Sequence, residues 1–73
     1  MKLTENLIKK ECVANAVDQL LDEGLQRDRQ TLINDILLCH YMQRTSKEIE
    51  GELDVTTDIA EFIADVLRAF LIP

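Results

Sequence analysis

The stretch Ala14–Met42, ANAVDQLLDEGLQRDRQTLINDILLCHYM, sets the architecture of this 73-residue chain. Gly24 sits between two amphipathic segments and reads as a helix C-cap, because glycine enters the left-handed region without a steric penalty. Leu25 suits the hydrophobic contact that accompanies such a cap. Asp28 is a good N-cap for the second segment. Residues 4–43 are therefore expected to form a helical hairpin.

At 100° per residue, Leu7, Val13, Ala14, Ala16, Val17, Leu20 and Leu21 form one stripe of the first helix, which Thr4 is expected to cap. In the second helix, about 29–43, Leu32, Ile33, Ile36, Leu37, Cys39 and His40 share a face. Leu38, Tyr41 and Met42 point elsewhere. From Ile36 to Met42 this helix is apolar almost all round, the mark of a helix covered on two sides.

Thr45-Ser46-Lys47-Glu48 has capping-box spacing and predicts a short third helix, about 46–53. Gly51 weakens it, and Glu48/Glu52 and Glu50/Asp54 are repulsive (i, i+4) pairs. Asp54-Val55-Thr56 reads as a turn, with Thr56 or Thr57 capping a last helix. Ile59, Phe62, Ile63, Val66, Leu67 and Phe70 give that helix its apolar stripe. The expected fold is all-α: a hairpin, a short third helix and an amphipathic C-terminal helix, in one domain spanning 1–73.

A chain this short buries only about 60% of its unfolded surface. Nothing in it suggests a disulfide framework, a metal cage or a cofactor motif to compensate. A homodimer is the expected source of added stability, packed through Leu38, Tyr41, Met42, Phe62, Val66 and Phe70. Cys12 and Cys39 lie far apart, and MKLTENLIKKE has no apolar run of signal-peptide length. Nor does any stretch approach a membrane span. The expectation is a cytoplasmic protein with reduced thiols.

Chemistry has little to work with. His40 follows Cys39 directly, and adjacent helical residues diverge by about 100°, so the two cannot form a nucleophilic pair. They read as a packed core histidine and a core thiol. No catalytic residue, metal ligand or cofactor site is assigned. The carboxylates read as a solvated acidic face.

Charge is more informative. The chain carries −6, and its distribution is uneven. Residues 1–46 hold six bases against seven acids, whereas residues 47–73 hold two bases against seven acids. Duplex DNA and anionic membranes bind through clustered Lys and Arg, so the second part would be repelled by both. A regulatory protein with a basic surface would be attracted. The residues expected to meet it are Glu50, Glu52, Asp58, Glu61 and Asp65.

Thr45–Ile63, TSKEIEGELDVTTDIAEFI, resembles a helix-turn-helix unit that reads K-E-I-x-x-x-L-G-V-S/T ahead of its recognition helix. Lys47, Glu48, Ile49, Leu53, Val55 and Thr56 match in place. Asp54 stands where glycine is usual, and Asp tolerates that conformation. The first outward residues of the second helix would be Thr57, Asp58 and Glu61, with no base before Arg68. Groove reading needs Arg, Lys, Asn or Gln there, so direct DNA binding is disfavoured. A DNA-binding regulator, and a small acidic inhibitor that mimics nucleic acid, are the alternative readings.

From Glu11 to Cys39 the chain resembles the YmgB/AriR/YcgZ family of small bacterial two-component-system connector proteins. The shared pattern is an acidic residue, Ala16-Val17, Leu20-Leu21 and Gly24, then Arg29, Leu32, Ile33 and the run Ile36-Leu37-Leu38-Cys39, without gaps. Met42–Lys47, MQRTSK, resembles that family's polar exit from its second helix. The C-terminal part departs by an insertion and aligns only loosely, around Asp65–Arg68. The resemblance implies an all-helical homodimer without enzymatic activity that links sensor signalling to biofilm formation and acid resistance. It also brings a connection with DNA binding.

Overall fold

Among the described residues, three of the four helices end on a residue in the left-handed region, and these endings shape the chain. The computed structural model describes residues 2–69, with side chains from Ile8 onward. Helix α1 (Lys2–Asp22) leads into α2 (Arg29–Tyr41), α3 (Ser46–Leu53) and α4 (Thr57–Arg68). The all-helical expectation holds, with element bounds close to those predicted.

Gly24 has φ +110°. The Leu25 N–H donates to the Leu20 carbonyl and the Gly24 N–H to that of Leu21, both at 3.1 Å. That pair of bonds is a Schellman ending, which satisfies carbonyls the helix would otherwise leave open. The end of α2 repeats the device without glycine. Gln43, at φ 54°, donates to His40, and Arg44 donates to Cys39. At the end of α3 Asp54 takes φ 52°, ψ 55°, and the Val55 N–H reaches the Glu50 carbonyl at 3.2 Å. Asp54 thus adopts the conformation that the glycine usual at this position would supply.

The helix starts obey the capping chemistry. Asp28 accepts from the Thr31 N–H at 3.0 Å. Thr45 and Glu48 form a reciprocal capping box. Thr56, rather than Thr57, caps α4. One expectation fails: α1 already runs from Lys2, so Thr4 lies within the helix and does not cap it. No glycine or proline lies between Lys2 and Thr4 to stop the backbone winding earlier.

One core draws on all four helices. Helix α1 contributes Val13, Val17 and Leu20, α2 Leu32, Ile33, Ile36 and Cys39, α3 Ile49 and Leu53, and α4 Ala60, Ile63 and Leu67. Helix α1 packs against both α2 and α4, and α3 packs against α4. The helix covered on two sides within the chain is therefore α1, not α2 as its apolar circumference predicts: the Leu38, Tyr41 and Met42 side of α2 stays exposed. Phe62 and Ile59 also pack against this core, so much of the α4 stripe is used within the chain. Val66 is half-buried, and Phe70 lies outside the described residues.

Two further points modify the sequence reading. His40 is half-buried rather than a core residue, whereas Cys39 is buried. On the helical wheel His40 falls at the edge of the apolar arc, where α2 turns toward solvent. Leu38, Tyr41 and Met42 are all exposed, and so is Ile8 on α1.

Candidate interaction face on helices 3 and 4

Helices α3 and α4 are joined by a three-residue turn, Asp54–Thr56, and pack on each other, with Ile49, Leu53, Ala60 and Ile63 all in the common core. The connection has the length of a helix-turn-helix turn. The group that holds it in place comes from elsewhere in the chain. Arg27, in the loop between α1 and α2, donates from its two terminal nitrogens to the carbonyls of Leu53 and Asp54, each at 2.6 Å. A cation on the open carbonyls at a helix C-terminus is favoured by both hydrogen bonding and the helix dipole. Local sequence assigns Arg27 no role beyond that of a polar loop residue.

The five acidic residues expected to meet a partner are not equivalent. Glu52 is engaged inside the chain: its Oε1 lies 3.1 Å from Arg44 Nε, and its Oε2 accepts from the Cys39 thiol at 3.5 Å. Arg44 also reaches Glu48 at 3.3 Å. The Glu48/Glu52 repulsion expected from spacing is therefore relieved by a guanidinium set between them. The Arg44 Nε is shielded from water without an aligned hydrogen bond, so charge rather than N–H direction holds that contact. Glu50 accepts from the Thr57 hydroxyl at 2.9 Å. Asp65 pairs with Arg68 at 3.0 Å, both well exposed, a contact of small energetic weight.

Asp58 and Glu61 differ from these. Both are exposed on α4, and neither forms an ion pair with a described residue. A shallow depression beside them is lined by Ser46, Lys47, Glu50, Thr57 and Glu61. The outward side of the α3–α4 unit thus presents carboxylates with hydroxyls and the ammonium of Lys47 between them, and is negative in sum. Its charge is suited to ammonium and guanidinium groups.

These contacts set the titration behaviour. Burial, and then the hydrogen bond to Glu52, push the Cys39 thiol up to about 11, so it is an inert core group rather than a nucleophile. The N-cap bond from Thr45 holds Glu48 below the ordinary carboxylate range. Bonds from Thr31 do the same for Asp28. Across the hairpin, Arg29 Nε donates to Asp18 at 2.7 Å and lowers that carboxyl. Burial, with Lys9 adding to it, holds His40 below its usual value.

A second depression, of about 470 Å³, opens between the α2–α3 corner and the end of α4, lined by His40, Arg44, Ser46, Leu67 and Arg68 among others. Its two guanidinium groups are already matched by Glu48, Glu52 and Asp65. Among the described residues no group of three His, Cys, Asp or Glu side chains is placed to hold a metal ion. Among the same residues no helix is long and apolar enough to cross a membrane. No family model, curated protein or solved structure matches the chain.

Proposed function

We propose that the chain is a non-enzymatic, self-associating regulatory adaptor that docks on a basic surface of a signalling or transcription-regulatory protein through α4. Asp58 and Glu61 make the primary contacts, with Glu50 and Asp65 flanking them. Glu52 has a different part, because it serves Arg44 and Cys39 inside the chain. The observation that carries this reading is the sign of the charge on the helix-turn-helix-like unit. Where a DNA reader places bases and amides, this α4 presents Thr57, Asp58, Glu61 and Asp65 to solvent. Complementary charge of this kind steers protein association and sets its salt dependence. The resemblance over Glu11–Cys39 supports a cytoplasmic connector role, with biofilm and acid-stress responses as its output.

The length of the α3–α4 turn favours a second reading, a DNA-binding regulator. The two separate in a mobility-shift assay with mixed-sequence duplex DNA at low salt. The adaptor reading expects no retarded band, because even non-specific binders reach dissociation constants of about 10⁻⁴–10⁻⁶ M through phosphate contacts. A band at micromolar protein that weakens steeply with salt would reverse the ranking. A nucleic-acid-mimicking inhibitor shares the acidic face, and would differ in competing directly with DNA for its target.

A further inference from the structure

The depression of about 470 Å³ between the α2–α3 corner and the end of α4 is within the size range of small-molecule sites, about 300–1,000 Å³. Its floor is apolar, with Cys39 and Leu67 buried and Ala64 half-buried. Gln43, Arg44, Ser46 and Arg68 stand around it, and each of them carries N–H or O–H donors. The chain holds 14 acidic residues, yet none is among the described residues that line this depression. Donors around an apolar floor are the reverse of the acidic side of α3–α4.

We propose that this depression binds a small organic monoanion, a carboxylate on a short hydrocarbon body. The proposal is independent of docking through α4 and of self-association. Among the described residues a hydrogen bond engages one terminal nitrogen of Arg44, to Glu48, and one of Arg68, to Asp65. A guanidinium has further N–H donors in a planar fork, which a carboxylate matches with two parallel bonds. Arg68 is the freer of the two, because its pair with Asp65 is 70% and 67% exposed and holds it weakly. The hydrocarbon body lies on Cys39, Ala64 and Leu67, where removal of apolar area from water adds to the bonds of the anion.

Charge limits the ligand to one negative group. Glu48, Glu52 and Asp65 pair with the two guanidiniums, so three carboxylates against two cations leave this corner negative in sum. A dianion such as inorganic phosphate adds to that excess, and has no apolar part to offset the repulsion. An uncharged alcohol keeps the apolar contact and gives up the charge-assisted bonds. A monoanion with an apolar body uses both the donors and the floor.

Titration of the nitrogen-15-labelled full chain with sodium octanoate, read by amide chemical shifts, tests this. Saturable shifts should centre on Gln43–Ser46 and Ala64–Arg68, with a dissociation constant of about 0.1–1 mM, the range open to a ligand of this size. Octanol should bind about tenfold more weakly, and phosphate at matched ionic strength should give no saturable shift at these amides. Arg68→Gln is at an exposed position, so circular dichroism should be unchanged. It should weaken octanoate about fivefold or more and leave octanol unaffected. Absence of a saturable shift by about 10 mM octanoate would overturn the site. So would equal binding of octanol and octanoate, or an Arg68→Gln variant that binds octanoate as the parent does. Shifts centred on Leu38, Tyr41 and Met42 would also overturn it, as adsorption on the exposed side of α2.

Discussion

Ile49→Ala should lose about 3 kcal/mol of stability in urea unfolding followed by helical circular dichroism, raising the ratio of unfolded to native chain by about a hundredfold. Ile49 is fully buried. It and Leu53 are the two buried residues that α3 contributes. Eight residues are too few for a helix to persist on their own in water, so tertiary anchoring decides whether α3 exists. Truncating a buried Ile to Ala typically costs about 2–5 kcal/mol, through lost transfer energy and the cavity left behind. A domain of this size has only about 4–11 kcal/mol in total. Ile49→Val, which removes one methylene, should cost about 1 kcal/mol. A loss below about 1 kcal/mol for the Ala variant would mean that α3 is not held by this residue.

The second large effect belongs to Arg27. Arg27→Ala should destabilise by about 1–2 kcal/mol, less than two buried charge-assisted bonds would give, because the guanidinium is partly open to solvent. The effect should also be local. Amide exchange at Val55 and in the last turn of α3 should speed up more than exchange in α1. Arg27→Lys should recover only part of the loss, because an ammonium lacks the planar fork that spans the Leu53 and Asp54 carbonyls. Equal acceleration throughout the chain would assign Arg27 a general rather than a local part. No acceleration at all would remove it from the account.

These two residues show what the sequence discloses and what it hides. Gly24, Asp28, the Thr45–Glu48 box, Asp54 and Thr56 are all legible, because each acts on backbone within a few residues of itself. Capping is local chemistry, and local spacing announces it. Arg27 acts on carbonyls 26 and 27 residues away. Nothing in the loop sequence QRDR distinguishes an arginine that bridges two turns from one that is merely solvated. Arg44 shows the same difficulty in a sharper form. Spacing alone makes Glu48 and Glu52 repel, and only the folded corner places a guanidinium between them.

The apolar positions are legible in period but not in partner. The α4 stripe reads equally well as the inside of one chain or as an interface. Packing of Ile59, Phe62, Ile63 and Leu67 against the core assigns most of it to the inside, and leaves α2 with the larger exposed patch. The acidic face is legible in composition, but not in how its members divide. Only the structure separates Glu52, which a thiol and a guanidinium engage, from Asp58 and Glu61, which face water. That separation matters in choosing variants, since neutralising Glu52 would disturb the α2–α3 corner as well as any docking.

The proposed docking role is tested most directly by quantitative affinity capture from a cell lysate, comparing the wild-type chain with Asp58→Asn/Glu61→Gln. Both substitutions preserve side-chain shape on an exposed face, so the two baits should have matching circular dichroism, with melting lowered only slightly by loss of the Asp58 charge from the first turn of α4. The account predicts a protein with a basic surface that the wild type enriches, that added salt releases, and that the double variant recovers at about a tenth of the amount or less. Equal recovery by both baits, or a wild type that retains nucleic acid in place of protein, would contradict it.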